Sequence, residues 1–262
     1  MTVLFVGVSH ATAPLSLVEQ LSFSHDDAAA TLACITTGDR PPTLPFRELV
    51  VLSTCHRVEL YAVSAQDETR PSVGLDALAA ILAGRAPEHV ALDAHLRRLT
   101  GTEASRHLLR VAAGLESMVL GESEMLGQVS AALALAARLG SAGPRLGPLF
   151  EAAVRTGRRA RAETAIATAP ASVSTIAAEL AEELADELRG RRVLFVGGGK
   201  VPALAARALR ERGFWEMTIV AAADRDAESL AASYGATVVD VDGIAPAISE
   251  SDLVIACAGA PT

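Results

Sequence analysis

Leu49-Val50-Val51-Leu52-Ser53-Thr54-Cys55-His56-Arg57-Val58-Glu59-Leu60-Tyr61 carries the fold and the chemistry together. Its first four residues form an apolar run that reads as a buried strand, and residues 58–63 read as a second strand. Between them a hydroxyl, a thiol, an imidazole and a guanidinium stand in consecutive positions, Thr54 to Arg57. A strand end is a rigid place from which to aim side chains into a cleft. A lone cysteine is more often a buried hydrophobe than a nucleophile. A cation two residues away favours the thiolate, however, so Arg57 makes Cys55 a candidate nucleophile.

Working outward, residues 3–8 predict a strand that leaves through Ser9-His10-Ala11-Thr12-Ala13-Pro14. Residues 16–21 and 26–35 have helical spacing, and residues 36–45, with Gly38 and several prolines, read as a loop. Strands separated by helices in this order predict a ferredoxin-like α+β domain over residues 1–100. Residues 101–172 read as a helical part of that domain. Thr102 caps the first helix, and Gly114 and Gly121 bracket a turn. A second helix from about Glu122 puts Met125, Val129, Leu133 and Ala136 on one face, with Glu124 and Gln128 four apart on another. A third carries Arg155, Arg158, Arg159 and Arg161, which spread over nearly two turns and form either a solvated face or a set of phosphate contacts.

Residues 173–262 predict a Rossmann-type, doubly wound parallel sheet that is incomplete. A helix over 175–188 leads into the strand Arg192-Val193-Leu194-Phe195-Val196, followed by Gly197-Gly198-Gly199 and a helix over 202–212. Further strands are expected at 217–221, 236–241 and 252–256, with a helix at 226–234. A glycine turn between strand and helix aims backbone N–H groups at an anion.

Composition narrows the class. Half of the 262 residues are hydrophobic, much of that alanine, and only 3% are aromatic, which favours close-packed helices over an all-β core. A formal charge of −8 argues against non-specific coating of nucleic acid but leaves room for a local basic patch. Cys34, Cys55 and Cys257 have neither paired nor metal-ligand spacing, so no disulfide framework or metal site is expected. The N-terminus lacks a basic leader and no apolar run approaches membrane-spanning length, which predicts a cytoplasmic protein.

Three stretches together resemble the glutamyl-tRNA reductase family: Gly7-Val8-Ser9-His10-Ala11-Thr12-Ala13-Pro14, the turn from Ser53 to Tyr61, and His107-Leu108-Leu109-Arg110-Val111-Ala112-Ala113-Gly114-Leu115-Glu116-Ser117-Met118-Val119-Leu120-Gly121-Glu122. That block runs on through Leu126-Gly127-Gln128-Val129, and the helix around Gly157-Arg158-Arg159 also fits. The resemblance implies NADPH-dependent reduction of glutamyl-tRNA(Glu) to glutamate-1-semialdehyde through a cysteine thioester, which commits glutamate to tetrapyrrole (porphyrin) synthesis. It places the nucleophile on Cys55 and a histidine important for activity on His107. It places substrate contacts on Thr54, His56, Arg57, Ser117, Glu122, Ser123, Glu124 and Gln128. The nucleotide loop falls on Gly197, Gly198, Gly199, Lys200, Val201 and Pro202. On this reading Arg57 forks onto a substrate carboxylate, and His107 polarises the acyl oxygen or moves a proton. The implied partners are glutamyl-tRNA(Glu), glutamate-1-semialdehyde aminomutase and, for the full-length family, a second copy bound through a C-terminal helical domain that is missing from these 262 residues.

This chain departs from the family pattern in three places. His56 stands where the family has asparagine, and an imidazole there can still hydrogen-bond or act as a base. Pro202 replaces the third glycine of the nucleotide motif. Ala221-Ala222-Ala223 stand where an Asn-Arg-Thr-like triplet would hold the 2′-phosphate, with Asp224 and Arg225 just beyond. The competing reading is a non-catalytic relative that binds tRNA or a pathway enzyme.

Overall fold

The structure is a computed structural model that describes residues 2–36, 45–65, 71–167, 176, 192–197, 200–211, 213, 214, 216–220 and 225–256. It divides into two compact units, Met1–Ala169 and Pro170–Thr262.

In the first unit the order is β1 (Val3–Ser9), α1 (Leu15–Gln20), α2 (His25–Thr36), β2 (Phe46–Thr54), β3 (Arg57–Ser64), α3 (Pro71–Ala83) and β4 (Arg97–Thr100). The strands form an antiparallel sheet in the order β2-β3-β1-β4. Each helical crossover skips one strand, which is the split arrangement of a ferredoxin-like domain. Three helices follow: α4 (Gly101–Ala112), α5 (Glu124–Arg138) and α6 (Leu146–Glu163).

β3 is buried along its whole length because both of its faces are covered. On one face Leu4 meets α3 so closely that a Cβ at Gly74 would collide with it. On the other, Phe5 and Tyr61 pack edge-on against His107 of α4 and Phe150 of α6. α6 approaches α4 at Gly157, where a Cβ would strike the carbonyl oxygen of Ala112. Glu48 anchors α6 from the sheet by accepting from the backbone N–H groups of Gly143, Arg145 and Leu146. These are donors that a helix start leaves without intrahelical partners.

The second unit holds β5 (Arg192–Val196), α7 (Lys200–Glu211), β6 (Glu216–Val220), α8 (Arg225–Tyr234), β7 (Thr237–Val239), α9 (Ile244–Glu250) and β8 (Leu253–Ala256). All pairings are parallel, in the order β7-β6-β5-β8. Val193, Phe195, Ala205, Leu209 and Ile219 form the core on one face, and Leu194, Val220 and Ala247 on the other. A parallel sheet covered on both sides is the expected Rossmann-type layering.

The structure corrects several element boundaries. Thr100, not Thr102, holds the cap position of α4, and α5 starts at Glu124. The sequence reading missed α3, β4 and α9. β4 is a short, charged edge strand that pairs only with β1, so it lacks the apolar run by which strands are recognised. The expected helix over 175–188 lies outside the described residues apart from Ile176, as does most of the loop expected over 36–45.

Candidate active site

Cys55 and His56 are the two linking residues of the β2–β3 hairpin, whose register runs through Thr54↔Arg57, Ser53↔Val58 and Leu52↔Glu59. Thr54 Oγ1 accepts from the backbone N–H of His56 and of Arg57, each at 3.2 Å. The turn is pinned to the end of β1, because His10 N–H donates to the carbonyl of His56 at 2.9 Å. Ser53 Oγ accepts from Phe23 N–H at 2.9 Å. The nucleophile candidate is therefore held by three chain segments at once. It is exposed, and its Sγ lies 3.5 Å from Nδ1 of His56.

Arg57 does not do what the spacing suggests. It is 1% exposed, with Nη1 on Glu59 Oε1 at 2.7 Å and Nη2 donating to the carbonyl of Glu116. Its charge is matched by Glu59 instead of being turned on the thiol. Partial burial pushes the Cys55 thiol up from its ordinary range, and Glu122 and then Glu124 push it further. The expected thiolate bias is therefore absent. The bidentate fork is likewise spent, and Nε remains buried without a partner among the described residues.

Glu59 is the hub that sequence reasoning did not single out. It is 1% exposed. Tyr61 Oη donates to its Oε2 at 2.7 Å, and His107 Nε2 lies 3.0 Å from its Oε1. Gly7 faces Glu59 across β1, and a Cβ there would meet Val58 O and Glu59 Cγ. The missing side chain lets the carboxylate lie over β1 and reach α4. Period-two spacing of Arg57, Glu59 and Tyr61 was the available signal, since it puts all three on one face. His107 is built into this network. Nε2 faces Glu59, Nδ1 is 3.5 Å from Arg97 Nη1, and the ring packs on Phe5. His107 thus sits inside the buried cluster, its two ring nitrogens facing Glu59 and Arg97.

Burial alone would raise the Glu59 carboxyl, but Arg57, His107 and Tyr61 outweigh it and hold the group at about 2. A carboxylate depressed in the folded state contributes stability above its unfolded value and loses it as pH falls through the folded one. We therefore expect urea midpoints to decline as pH is lowered from about 4.5 toward 2. Glu59→Gln should have a flatter profile in that window; an equal slope would remove Glu59 as the source.

The remaining sequence-predicted residues sit around the hairpin. Glu122 is 8% exposed, and its charge acts on both Cys55 and His10. Glu124 opens α5, and Ser123 is exposed at its cap position without a side-chain cap bond. Ser117 follows the Glu116 carbonyl that Arg57 binds. Gln128 lines a groove with Phe23, Leu52 and Ser53. The buried polar side-chain atoms without a partner among the described residues are His10 Nδ1, Arg57 Nε, Ser117 Oγ and Gln128 Oε1. Buried polar atoms are nearly always satisfied by protein or ordered water, and these four fall on residues of the quoted motifs. His10 was missed as a site residue although it stands in the quoted N-terminal motif.

The arginine helix is mostly spoken for. Arg161 clamps the preceding turn, donating to the carbonyls of Gly121 and Glu122 at 3.0 Å each. Arg159 pairs with Glu163 and Arg155 with Glu151.

In the second unit Gly197 ends β5 with φ 105°, and its N–H donates to Val220 O at 3.2 Å. α7 begins at Lys200, so Pro202 falls in the first helical turn, where no intrahelical N–H bond is lost. A left-handed glycine between strand and helix, at the carboxyl edge of a sheet whose order reverses at β5, fits a dinucleotide phosphate. Gly198, Gly199, Ala221, Ala222, Ala223, Asp224 and Cys257 lie outside the described residues, and the side chains of Lys200, Val201, Pro202 and Arg225 are likewise not described.

A ferredoxin-like unit presenting a cysteine hairpin is joined in one chain to a Rossmann-type unit of the kind that binds dinucleotides. The family model "Glutamyl-tRNAGlu reductase, N-terminal domain" matches residues 6–164, and "Shikimate / quinate 5-dehydrogenase" matches residues 179–262. The chain belongs to the glutamyl-tRNA reductase family. It is 41% identical over 261 residues to the glutamyl-tRNA reductase of Chloroflexus aurantiacus, covering 100% of this chain and 59% of that one. It is 37% identical over 262 residues to that of Rubrobacter xylanophilus, covering 99% and 58%. The solved glutamyl-tRNA reductase of Methanopyrus kandleri aligns with a TM-score of 0.57 and 32% identity, over 99% of this chain and 59% of that one. The chain thus spans somewhat over half the length of these relatives.

Proposed function

We propose that this chain carries the acyl-capture and dinucleotide-binding parts of an NADPH-dependent glutamyl-tRNA reductase, acting in the cytoplasm on glutamyl-tRNA(Glu) in the first step of tetrapyrrole synthesis. One observation carries the reading: the exposed Cys55, on a hairpin pinned to the end of β1, with its Sγ 3.5 Å from His56 Nδ1.

Cys55 Sγ attacks the glutamyl ester carbonyl, releases the tRNA and holds the glutamyl group as a thioester. Thr54 keeps a free hydroxyl proton for the substrate, since its oxygen already accepts two backbone N–H bonds. Ser117, Gln128, His10 and Arg57 Nε bind the glutamyl group through their unpartnered atoms. Glu122 and Glu124 attract the α-ammonium of the glutamyl group, because they are the carboxylates whose charge reaches Cys55. Glu59 and His107 keep Arg57 in place without touching the substrate. Gly197 and the first turn of α7 from Lys200 hold the dinucleotide phosphates, with Gly198 and Gly199 completing the loop by sequence. Bound NADPH supplies the hydride that converts a thioester to an aldehyde. The product aldehyde is reactive, so glutamate-1-semialdehyde aminomutase is the proposed receiving partner.

The test is mapping of the acyl group. Incubation with glutamyl-tRNA labelled in the glutamate, without nucleotide, should leave hydroxylamine-labile label on the peptide containing Cys55. Label on Cys34 or Cys257, or none at all, would overturn the assignment.

A further inference from the structure

We propose that His56 is the general base for this reaction in this chain, taking the proton of Cys55 Sγ as the thiol attacks and returning it to the departing ribose oxygen. The proposal rests on the activity set out above and deepens it.

The thiol needs such a partner. Arg57 is turned inward onto Glu59 and the Glu116 carbonyl, so this neighbouring cation does not support a thiolate. Partial burial, Glu122 and Glu124 all keep the proton on sulfur. Among the described residues, the imidazole in contact with Sγ is that of His56, with Nδ1 at 3.5 Å. His107 is engaged by Glu59 at one nitrogen and faces Arg97 at the other.

His56 is also well held for the task. Its N–H donates to Thr54 Oγ1, its carbonyl accepts from His10 N–H, and the His10 ring stands edge-on to it with centroids 6.3 Å apart. The charged and titratable groups around the pair are Arg57 on the hairpin, His10 at the end of β1, Glu122 before α5 and Glu124 in its first turn.

The step balances. The S–H proton moves to Nδ1 while the sulfur lone pair forms the S–C bond to the acyl carbon. The ester C–O bond then breaks, and its oxygen takes the proton from Nδ1 as the tRNA leaves with a free ribose hydroxyl. No oxidant or reductant is consumed. An asparagine side chain at this position cannot carry a proton between the two atoms, so the substitution changes how the nucleophile is activated.

The test uses the full chain with Cys34→Ser and Cys257→Ser, leaving Cys55 as the reporter thiol. Iodoacetamide alkylation is followed across pH by mass spectrometry for the parent, His56→Asn and His56→Gln. The parent rate should rise in two steps. Both variants should show one step at higher pH and react about tenfold more slowly near neutrality, where an unassisted thiol is only a few per cent ionised. Identical profiles in parent and variants would overturn the proposal. Single-turnover glutamyl transfer should fall by about a hundredfold or more in His56→Asn, with free imidazole restoring transfer in His56→Gly. Transfer that is unchanged in His56→Asn also overturns the base while leaving the acyl-capture reading intact. A His56-dependent alkylation profile with no acyl transfer in the parent retains the proton transfer from Cys55 to His56 but overturns its role in acyl capture, together with the acyl-capture reading.

Discussion

Cys55→Ser should abolish glutamyl capture and with it all net reduction, while the fold stays unchanged. Cys55 is an exposed residue of the hairpin turn, and exchanging its sulfur for oxygen changes one atom, so little stability is at stake. The chemistry, by contrast, is removed at its source. A serine hydroxyl is far less acidic than a thiol, and an oxoester, were one formed, would accept hydride poorly. The measurement is label retained on protein after incubation with glutamyl-tRNA, alongside thermal unfolding. Cys34→Ser is the control, since Cys34 sits on α2, where its thiol donates to the Ala30 carbonyl. Retained label in Cys55→Ser, or equal loss in the control, would count against the site.

The second large effect concerns Glu59→Ala. The substitution leaves Arg57 buried with its principal counter-charge gone, and it strips the partner from Tyr61 Oη and His107 Nε2. Removing one member of a buried pair costs about 3–5 kcal/mol, because the remaining charge is stranded away from water. Urea unfolding of the variant should show that loss. Glu59→Gln should fall between parent and alanine, since an amide can still accept from Tyr61. A change below about 1 kcal/mol for Glu59→Ala would mean that water enters and satisfies Arg57, and the network would not be the internal brace argued above.

Much of this was legible in the chain before any coordinates. β5 matches its reading residue for residue, because a short Val-Leu-Phe-Val run before three glycines has few alternative interpretations. The cysteine hairpin and the Gly114–Gly121 turn were equally plain; both glycines have positive φ, and Gly121 N–H closes on Gly114 O at 2.9 Å. What stayed hidden was the direction of charge. Arg57 stands two residues from Cys55 and two from Glu59, and sequence distance weighs the two neighbours equally. Strand alternation separates them, since Arg57 and Glu59 share a face of β3 whereas Cys55 belongs to the turn. The gap at Gly7 that admits Glu59 is a cross-strand fact, visible only once β1 is paired with β3. β4 and α3 were missed for a different reason. One is too polar and short to resemble a strand, and the other is so uniformly apolar that no helical stripe stands out.

The placement of the nucleophile has a consequence for how the molecule breathes. Cys55 is carried by the shortest link between two neighbouring strands of the sheet, and β3 is covered on both faces by helices. Amide protons of β3, the inner strand of that pair, are released only when the domain opens as a whole, whereas chain ends and outer helices fray at far lower free energy. The Cys55 sulfur therefore sits at the end of the most protected strand of its unit. Partial openings around β4, at the edge away from β2, or at the ends of the outer helices leave its geometry intact. Loss of sulfur reactivity on warming would accordingly track global unfolding of the first unit, not the earlier softening of its periphery.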